Sequence, residues 1–341
     1  LTERSTSFNE FYVFKSDWEK IGKIKAVFRG KKLDKKHITE IDPAYQDEFY
    51  SQSKYYEVIF PDDLQPGDTI SFTFRKNYKN IAFLPLIQIP NVNALEEFDV
   101  TIKHPRQMTV DFEIFFPREE IPFLKKEVTD RKTRILFGPV EHFESVPFYA
   151  HNDIHGVILF RLSWDGQPIN PGTALDFYNW YDSLAELEPV LPDSLVDGLG
   201  LCFDNSRDVD DTLAVINDFV RKSIRYIAEA NHPHTWLPHG PLAVLAKRYG
   251  DCKDRASLVS ALARRYGLEV NMALVTAMPW AGLEGIHPSM FNHVVCYHAR
   301  DGEPVFFDPT ATYYGFGDLP EELVEQRTLI LDPQSPRMID M

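Results

Sequence analysis

The hydrophobic period of this chain changes in its middle, and that change limits what the chain can become. Up to about residue 165, short alternating runs bounded by turn residues read as strands. Residues 55–60 are closed by Pro61-Asp62-Asp63, and Gln65-Pro66-Gly67-Asp68 turns into 69–74. In that second run Ile70, Phe72 and Phe74 share one face. Residues 98–102, 108–114, 134–137 and 157–162 repeat the pattern. Many short aromatic and β-branched strands predict an antiparallel β-sandwich over 1–170, its aromatics serving as core. Prolines and glycines then interrupt 171–205, which reads as a connector with a short helix over 174–187. From 206 to 341 helices and strands mix, so the fold class is α+β in two parts.

The second part opens with Val209, Leu213, Ile216, Val220, Ile224 and Ile227 at helical spacing, predicting one amphipathic helix over 208–228. A short helix over 241–249 ends at Gly250. Asp251 then caps a helix running to about Tyr266, with Asp254 as a first-turn carboxylate and Gly267 as the terminating glycine. Ala256, Val259 and Ala263 lie on one side of it with Cys252, small enough to pack closely on a sheet. Three strands are expected at 269–276, 292–299 and 304–308, the last two joined by Asp301-Gly302, a strong hairpin signal. With those two residues as the loop, 295 faces 308 and 293 faces 310. His293 and Asp308 then point to one side of the sheet as diagonal neighbours, roughly 7–8 Å apart at the backbone. Residues 329–333 read as a final strand before a polar tail.

With 341 residues the chain can bury more than one core, and 51 acidic against 36 basic residues give a formal charge of −15. Such a field disfavours nucleic acid and anionic membrane surfaces as partners. No run approaches the ~20 apolar residues that cross a bilayer, and no secretory leader is present. The chain begins at Leu1, which fits a mature or trimmed product. Its three cysteines leave two readings open: a Cys202–Cys296 disulfide with Cys252 free, or three thiols.

The stretch Tyr249-Gly250-Asp251-Cys252-Lys253-Asp254 puts a thiol where a helix begins. A thiol becomes a good nucleophile when ionised, and a helix N-terminus, an imidazole and a carboxylate behind the imidazole promote that. Cys252, His293 and Asp308 supply this set in order: nucleophile, proton carrier and the acid that fixes the imidazole tautomer. Taken alone, Cys252 reads equally well as a small core residue. The predicted hairpin geometry of the other two favours the catalytic reading. Lys253 and Asp254 read as helix electrostatics and packing. The backbone N–H of Cys252 is a candidate oxyanion donor.

The segments Arg248-Tyr249-Gly250-Asp251-Cys252-Lys253-Asp254-Arg255-Ala256, Phe291-Asn292-His293 and Phe307-Asp308-Pro309-Thr310 resemble the transglutaminase-like superfamily, in its bacterial branch with a Gly-Asp-Cys-Lys-Asp motif. The resemblance covers about 205–320. More loosely, the first half resembles the β-rich domain that often precedes this core in bacterial envelope proteins. The resemblance implies a papain-like arrangement, with the nucleophile helix packed on an antiparallel sheet that carries His and Asp. It also implies thiol acyl-transfer chemistry on a peptide or protein substrate without a cofactor, and Cys252, His293 and Asp308 as the triad. Tyr226 sits where related sequences tend to carry a second oxyanion donor. A periplasmic or secreted location, and continuation into a further β domain, rest on the resemblance alone.

His232, His234 and His239 lie close together, and a His-x-His pair suits zinc. No carboxylate or cysteine stands nearby in sequence, and the neighbouring prolines favour an ordinary rigid loop, so no metal is expected. With Trp236, Trp280 and His287, and with Asn292 beside the histidine, this loop reads as the wall of a substrate cleft. Residues 277–290 are long enough for a lid or for a passive surface loop. Three functions fit the sequence: an amide or peptide hydrolase, a crosslinking enzyme whose acyl group passes to an amine, and a non-catalytic envelope interaction module. Oligomeric state and substrate identity are not encoded in these patterns.

Overall fold

The computed structural model describes the chain apart from residues 1–8, 16–18, 42–48, 52–54, 66, 80, 82–83, 85, 91–94, 117–122, 140–153, 186, 188–189, 202–207, 231–235 and 277–284. Its first half is built of small antiparallel sheets, and its apolar residues are divided between two clusters. In the first, Glu10–Phe14, Tyr55–Ile59 and Ile38–Ile41 form one sheet, and Lys25–Phe28, Lys31–Lys32 and Ile70–Thr73 another. Between them lie Ala26, Phe28, Val58, Phe60 and Leu64. In the second, a sheet of Ile87–Pro90, Ile154–Trp164, Met108–Phe115 and Gln167–Pro168 faces one of Phe98–Lys103, Lys132–Phe137 and Phe123–Val128.

The strand Ile154–Trp164 joins the two halves of the molecule. Ile158, Phe160 and Leu162 enter the second β cluster, while Val157 and Leu159 enter the core that surrounds the later helices. Successive side chains of a strand point to opposite faces. A strand buried on both faces therefore reads as the continuous apolar run seen here.

The segment expected to be a connector is packed into that same core. Helix α1, Ala174–Asp182, opens with a capping box of Thr173 and Asp176 and buries Phe177, Tyr178 and Tyr181. It ends earlier than its pattern predicts, where the Ser183 hydroxyl bonds the Trp180 carbonyl at 2.6 Å and competes with helical pairing. Helix α2, Asp193–Asp197, adds Val196. Helix α3, Val209–Ser223, is five residues shorter than the 228 limit predicted from its apolar spacing. Ile224 and Ile227 are buried as expected, yet beyond Ile224 the backbone leaves the helix to pair with another segment: Arg225 N–H donates to Arg248 O (2.8 Å) and Ile227 N–H to Gly250 O (3.1 Å). Helix α4, Pro241–Lys247, likewise stops short of Tyr249: Arg248 takes a left-handed φ of 59° and Tyr249-Gly250 becomes the partner strand of Arg225-Tyr226.

Helix α5, Cys252–Arg265, is buried from Lys253 to Ala263 and ends before Gly267, whose φ is +71°. It lies against a five-stranded antiparallel sheet in the order Glu303–Phe307, His293–Arg300, Asn271–Val275, Arg327–Ile330, Arg337–Asp340. Arg337–Asp340 corrects the expected polar tail: it is a paired strand. Met272, Leu274, Val294, Cys296, Phe307 and Leu329 share a core with Ala256, Val259 and Leu262 of α5. On the other face, Ala273, Val275, Val295, Tyr297, Phe306 and Ile330 pack under Leu323. The hairpin has the predicted register, with Arg300 opposite Glu303 and Cys296 opposite Phe307. Among the described residues no helix is long and apolar enough to cross a membrane.

Candidate active site

The start of α5 explains each residue of Gly250-Asp251-Cys252-Lys253-Asp254. Asp251 is the N-cap, and the Asp254 carboxylate accepts from the Asp251 N–H at 3.1 Å, closing a capping box. A Cβ on Gly250 would stand 2.7 Å from Asp254 Cβ and 2.9 Å from its Oδ2, so the box needs glycine there. Lys253 is buried and pairs with Asp251. Burial lifts the Asp251 carboxyl above the ordinary carboxylate range, against the pull of Lys253. For Lys253 burial works against the charge, but Asp251 and Asp254 outweigh it and hold the ammonium form. Cys252 is the first helical residue, a free thiol that is only part-buried, at the end where unpaired amides carry partial positive charge.

His293 and Asp308 meet at the open end of the hairpin. His293 begins one strand, and Asp308 follows the last residue of the other. His293 Nε2 lies 2.9 Å from Asp308 Oδ2, which leaves Nδ1 free to serve the Cys252 thiol, close enough to act on the charge of the ring. Burial alone would lower the imidazole, but the Asp308 hydrogen bond and the contact with Cys252 outweigh it and push it up to about 10. Asp308 is buried, which opposes its charge, yet the bonds from His293 and from the Thr310 N–H (2.7 Å) hold it below the usual carboxylate range.

Other predicted residues divide. Tyr226 pairs with Gly250 across the short parallel ladder. Burial first, then the charges of Cys252, Asp251 and Asp308, raise its hydroxyl, so it stays a neutral donor beside the thiol. Trp236 is part-buried, and its carbonyl accepts from the Tyr181 hydroxyl of α1. Asn292 is exposed, its N–H donating to Val275 O at 3.2 Å. His287 departs from the cleft reading. It is 3% exposed, its Nδ1 accepts from the Ser289 N–H at 3.1 Å, and the Leu84 backbone stands near the ring. Burial lowers it to about 4, so it is a neutral brace under the segment that leads to His293.

Trp280, His232, His234 and Cys202 lie outside the described residues, as do residues 277–284 of the expected lid. His239 has the carboxylate that its sequence neighbourhood lacks: its N–H and Nδ1 both meet Asp254, at 2.7 and 3.2 Å. Cys296 is a free, fully buried thiol, which removes the reading of a Cys202–Cys296 disulfide.

Two contributors escaped the sequence reading. Tyr181 is buried close enough for Asp251, Cys252 and Asp254 to raise its hydroxyl beyond what burial does. Arg255 donates to Pro309 O (2.9 Å) and to Ile224 O, with its guanidinium 5.4 Å from the Tyr226 ring centroid. It ties the residue after Asp308 to the strand bearing Tyr226. The signal was spacing: three residues after Cys252, Arg255 is on the nucleophile's side of the helix.

A thiol on a helix start, an imidazole and a buried carboxylate are thus brought together by three separate segments. Residues 203–298 match the family model of the transglutaminase-like superfamily. The chain carries a transglutaminase-like core. A crystal structure of a Parabacteroides distasonis protein named "putative protease" superposes over 100% of this chain with a TM-score of 0.70 and 14% identity. At that identity the likeness is one of fold, and the chain spans 66% of that protein's length. A Cytophaga hutchinsonii structure named "putative cysteine protease" aligns with 64% of this chain and 73% of its own at 13% identity, but with a TM-score of 0.25 it carries no argument. No curated protein matches the chain.

Proposed function

We propose that the chain is a cysteine-dependent hydrolase of amide or peptide bonds, with Cys252 as nucleophile, His293 as proton carrier and Asp308 as the orienting acid. The observation that carries this reading is the His293–Asp308 pair at 2.9 Å, set beside a part-buried thiol at the start of a helix, near enough to raise the imidazole. An imidazolium held next to sulfur favours the thiolate. The sulfur anion attacks the carbonyl carbon, and the resulting oxyanion is met by the Cys252 N–H and the Tyr226 hydroxyl. His293 gives its proton to the departing amine as the C–N bond breaks, leaving a thioester on Cys252. Water then attacks that thioester while neutral His293 takes its proton. The C–S bond breaks, the acid leaves, and the thiolate–imidazolium pair is restored.

The name carried by the Parabacteroides distasonis neighbour agrees with this reaction class. Residues 206–341 then hold the chemistry, and Trp236, with the exposed Asn292, lies on the substrate side. The test is product analysis on a peptide library in the presence of a primary amine. Free-acid release that is abolished in Cys252→Ala supports hydrolysis. Amine incorporation in place of acid release overturns it in favour of crosslinking, and activity that survives Cys252→Ala overturns both.

A further inference from the structure

Eight of the seventeen residues from 20 to 36 are basic and Asp34 is the one acid among them, in a chain whose formal charge is −15. Arg29 is accounted for by its pairs with Asp63 and Asp68. The side chains of Lys23, Lys32 and Lys35 are exposed and make no hydrogen bond or ion pair with any described residue. These three residues line a cavity of about 500 Å³ in the first β cluster, with Asp34 as the one carboxylate among its described lining residues. A stretch of lysines that served only solubility would be spread over convex surface. Here they border a concavity whose volume falls within the roughly 300–1,000 Å³ of small-molecule sites.

The remaining wall is apolar and anchored. Ile24, Leu33 and Ile38 line the cavity and pack at the same time against the core of Ala26, Phe28, Val58 and Phe60. The Tyr56 side chain adds an aromatic surface. The site therefore combines three mobile point charges with a fixed hydrocarbon and aromatic face. Lysine ammonium groups suit a compact anion that needs no bidentate fork. The apolar face suits the carbon skeleton of a ring.

We propose that this cavity binds a small anionic ligand of saccharide size, its phosphate or carboxylate met by Lys23, Lys32 and Lys35 and its ring lying on Ile24, Leu33, Ile38 and Tyr56. None of these residues belongs to the Cys252 constellation, so the site stands or falls apart from the proposed hydrolase. An acidic molecule held here brings negative charge to a basic stretch of a strongly acidic protein.

Calorimetric titration of the full chain with glucose 6-phosphate, glucuronate, glucose and inorganic phosphate tests this. At least one of the two anionic sugars binds, glucose binds at least about tenfold more weakly, and the affinity of the anion falls with added salt. Tighter binding of glucose 6-phosphate points to a phosphorylated ligand, and tighter binding of glucuronate to an acidic sugar. In Lys23→Gln/Lys32→Gln/Lys35→Gln the anion affinity drops at least about tenfold while the unfolding midpoint stays in place. Should the triple variant unfold early, Lys23→Gln and Lys35→Gln singly show the same loss in smaller steps. Failure of both anionic sugars to bind at about 10 mM overturns the proposal. So does equal binding of glucose, equal binding of bare phosphate, or unchanged affinity in the lysine variants.

Discussion

Gly250 is glycine because Asp254 occupies the space its Cβ would take. In Gly250→Ala a 2.7 Å approach to Asp254 Cβ has to be relieved by moving the first turn of α5, which destabilises by roughly 1–3 kcal/mol. Cys252 shifts with that turn, so urea unfolding and thiol reactivity fall together in this variant. Asp251 is a second such point. Asp251→Ala removes the cap and leaves the buried Lys253 charge without its partner, a loss of about 3–5 kcal/mol by the cost of breaking a buried pair. Asp251→Ala/Lys253→Met recovers part of that loss if charge desolvation dominates, as unfolding curves of the two variants will show.

At His293 the sign of the pH dependence follows from its raised value of about 10. The folded state binds this proton more tightly than the unfolded chain, whose imidazole titrates near ~6.5. The stabilisation is therefore complete below about pH 6.5 and is lost as pH rises towards 10. The stability gap between the native protein and His293→Ala, measured by urea unfolding across that range, narrows with rising pH.

At the scale of elements, α5 and the hairpin were legible in the sequence because each is specified locally. Asp251 and Asp254 mark the helix start, Gly267 marks its end, and Asp301-Gly302 sets a register that brings His293 and Asp308 together. What escaped was specified from afar. Ile224 and Ile227 keep helical spacing and are buried, yet the ladder to Tyr249-Gly250 takes the backbone from Arg225 to Ile227. Nothing within α3 announces that partner. His287 looked like a cleft residue because the segment that buries it, around Leu84, is two hundred residues away in sequence. Arg255 belongs to this scale also, since it holds two elements at once. Arg255→Met leaves the Ile224 and Pro309 carbonyls without this donor, at about 1–3 kcal/mol for each buried group left unsatisfied. By loosening the turn behind Asp308 it lowers kcat more than it changes KM, and steady-state kinetics separate the two.

Across the whole molecule, the β-rich half supports the segment that carries the histidine. Gly285 N–H donates to Glu113 at 3.2 Å, His287 is buried near the Leu84 backbone, and Val157 and Leu159 sit in the core shared with α3 and α5. A chain cut to residues 171–341 exposes that apolar face. It loses its cooperative unfolding transition and its thiol reactivity, which calorimetry and alkylation rates will register. The N-terminal sheets thus matter to the geometry around Cys252 without contributing a reacting group. That geometry is open to one direct measurement: labelling of the native protein at neutral pH with a peptide-like electrophilic thiol probe, mapped by mass spectrometry. The account predicts rapid modification confined to Cys252, slowed strongly in His293→Ala. Slow labelling of Cys252, or labelling of equal speed in His293→Ala, would contradict it.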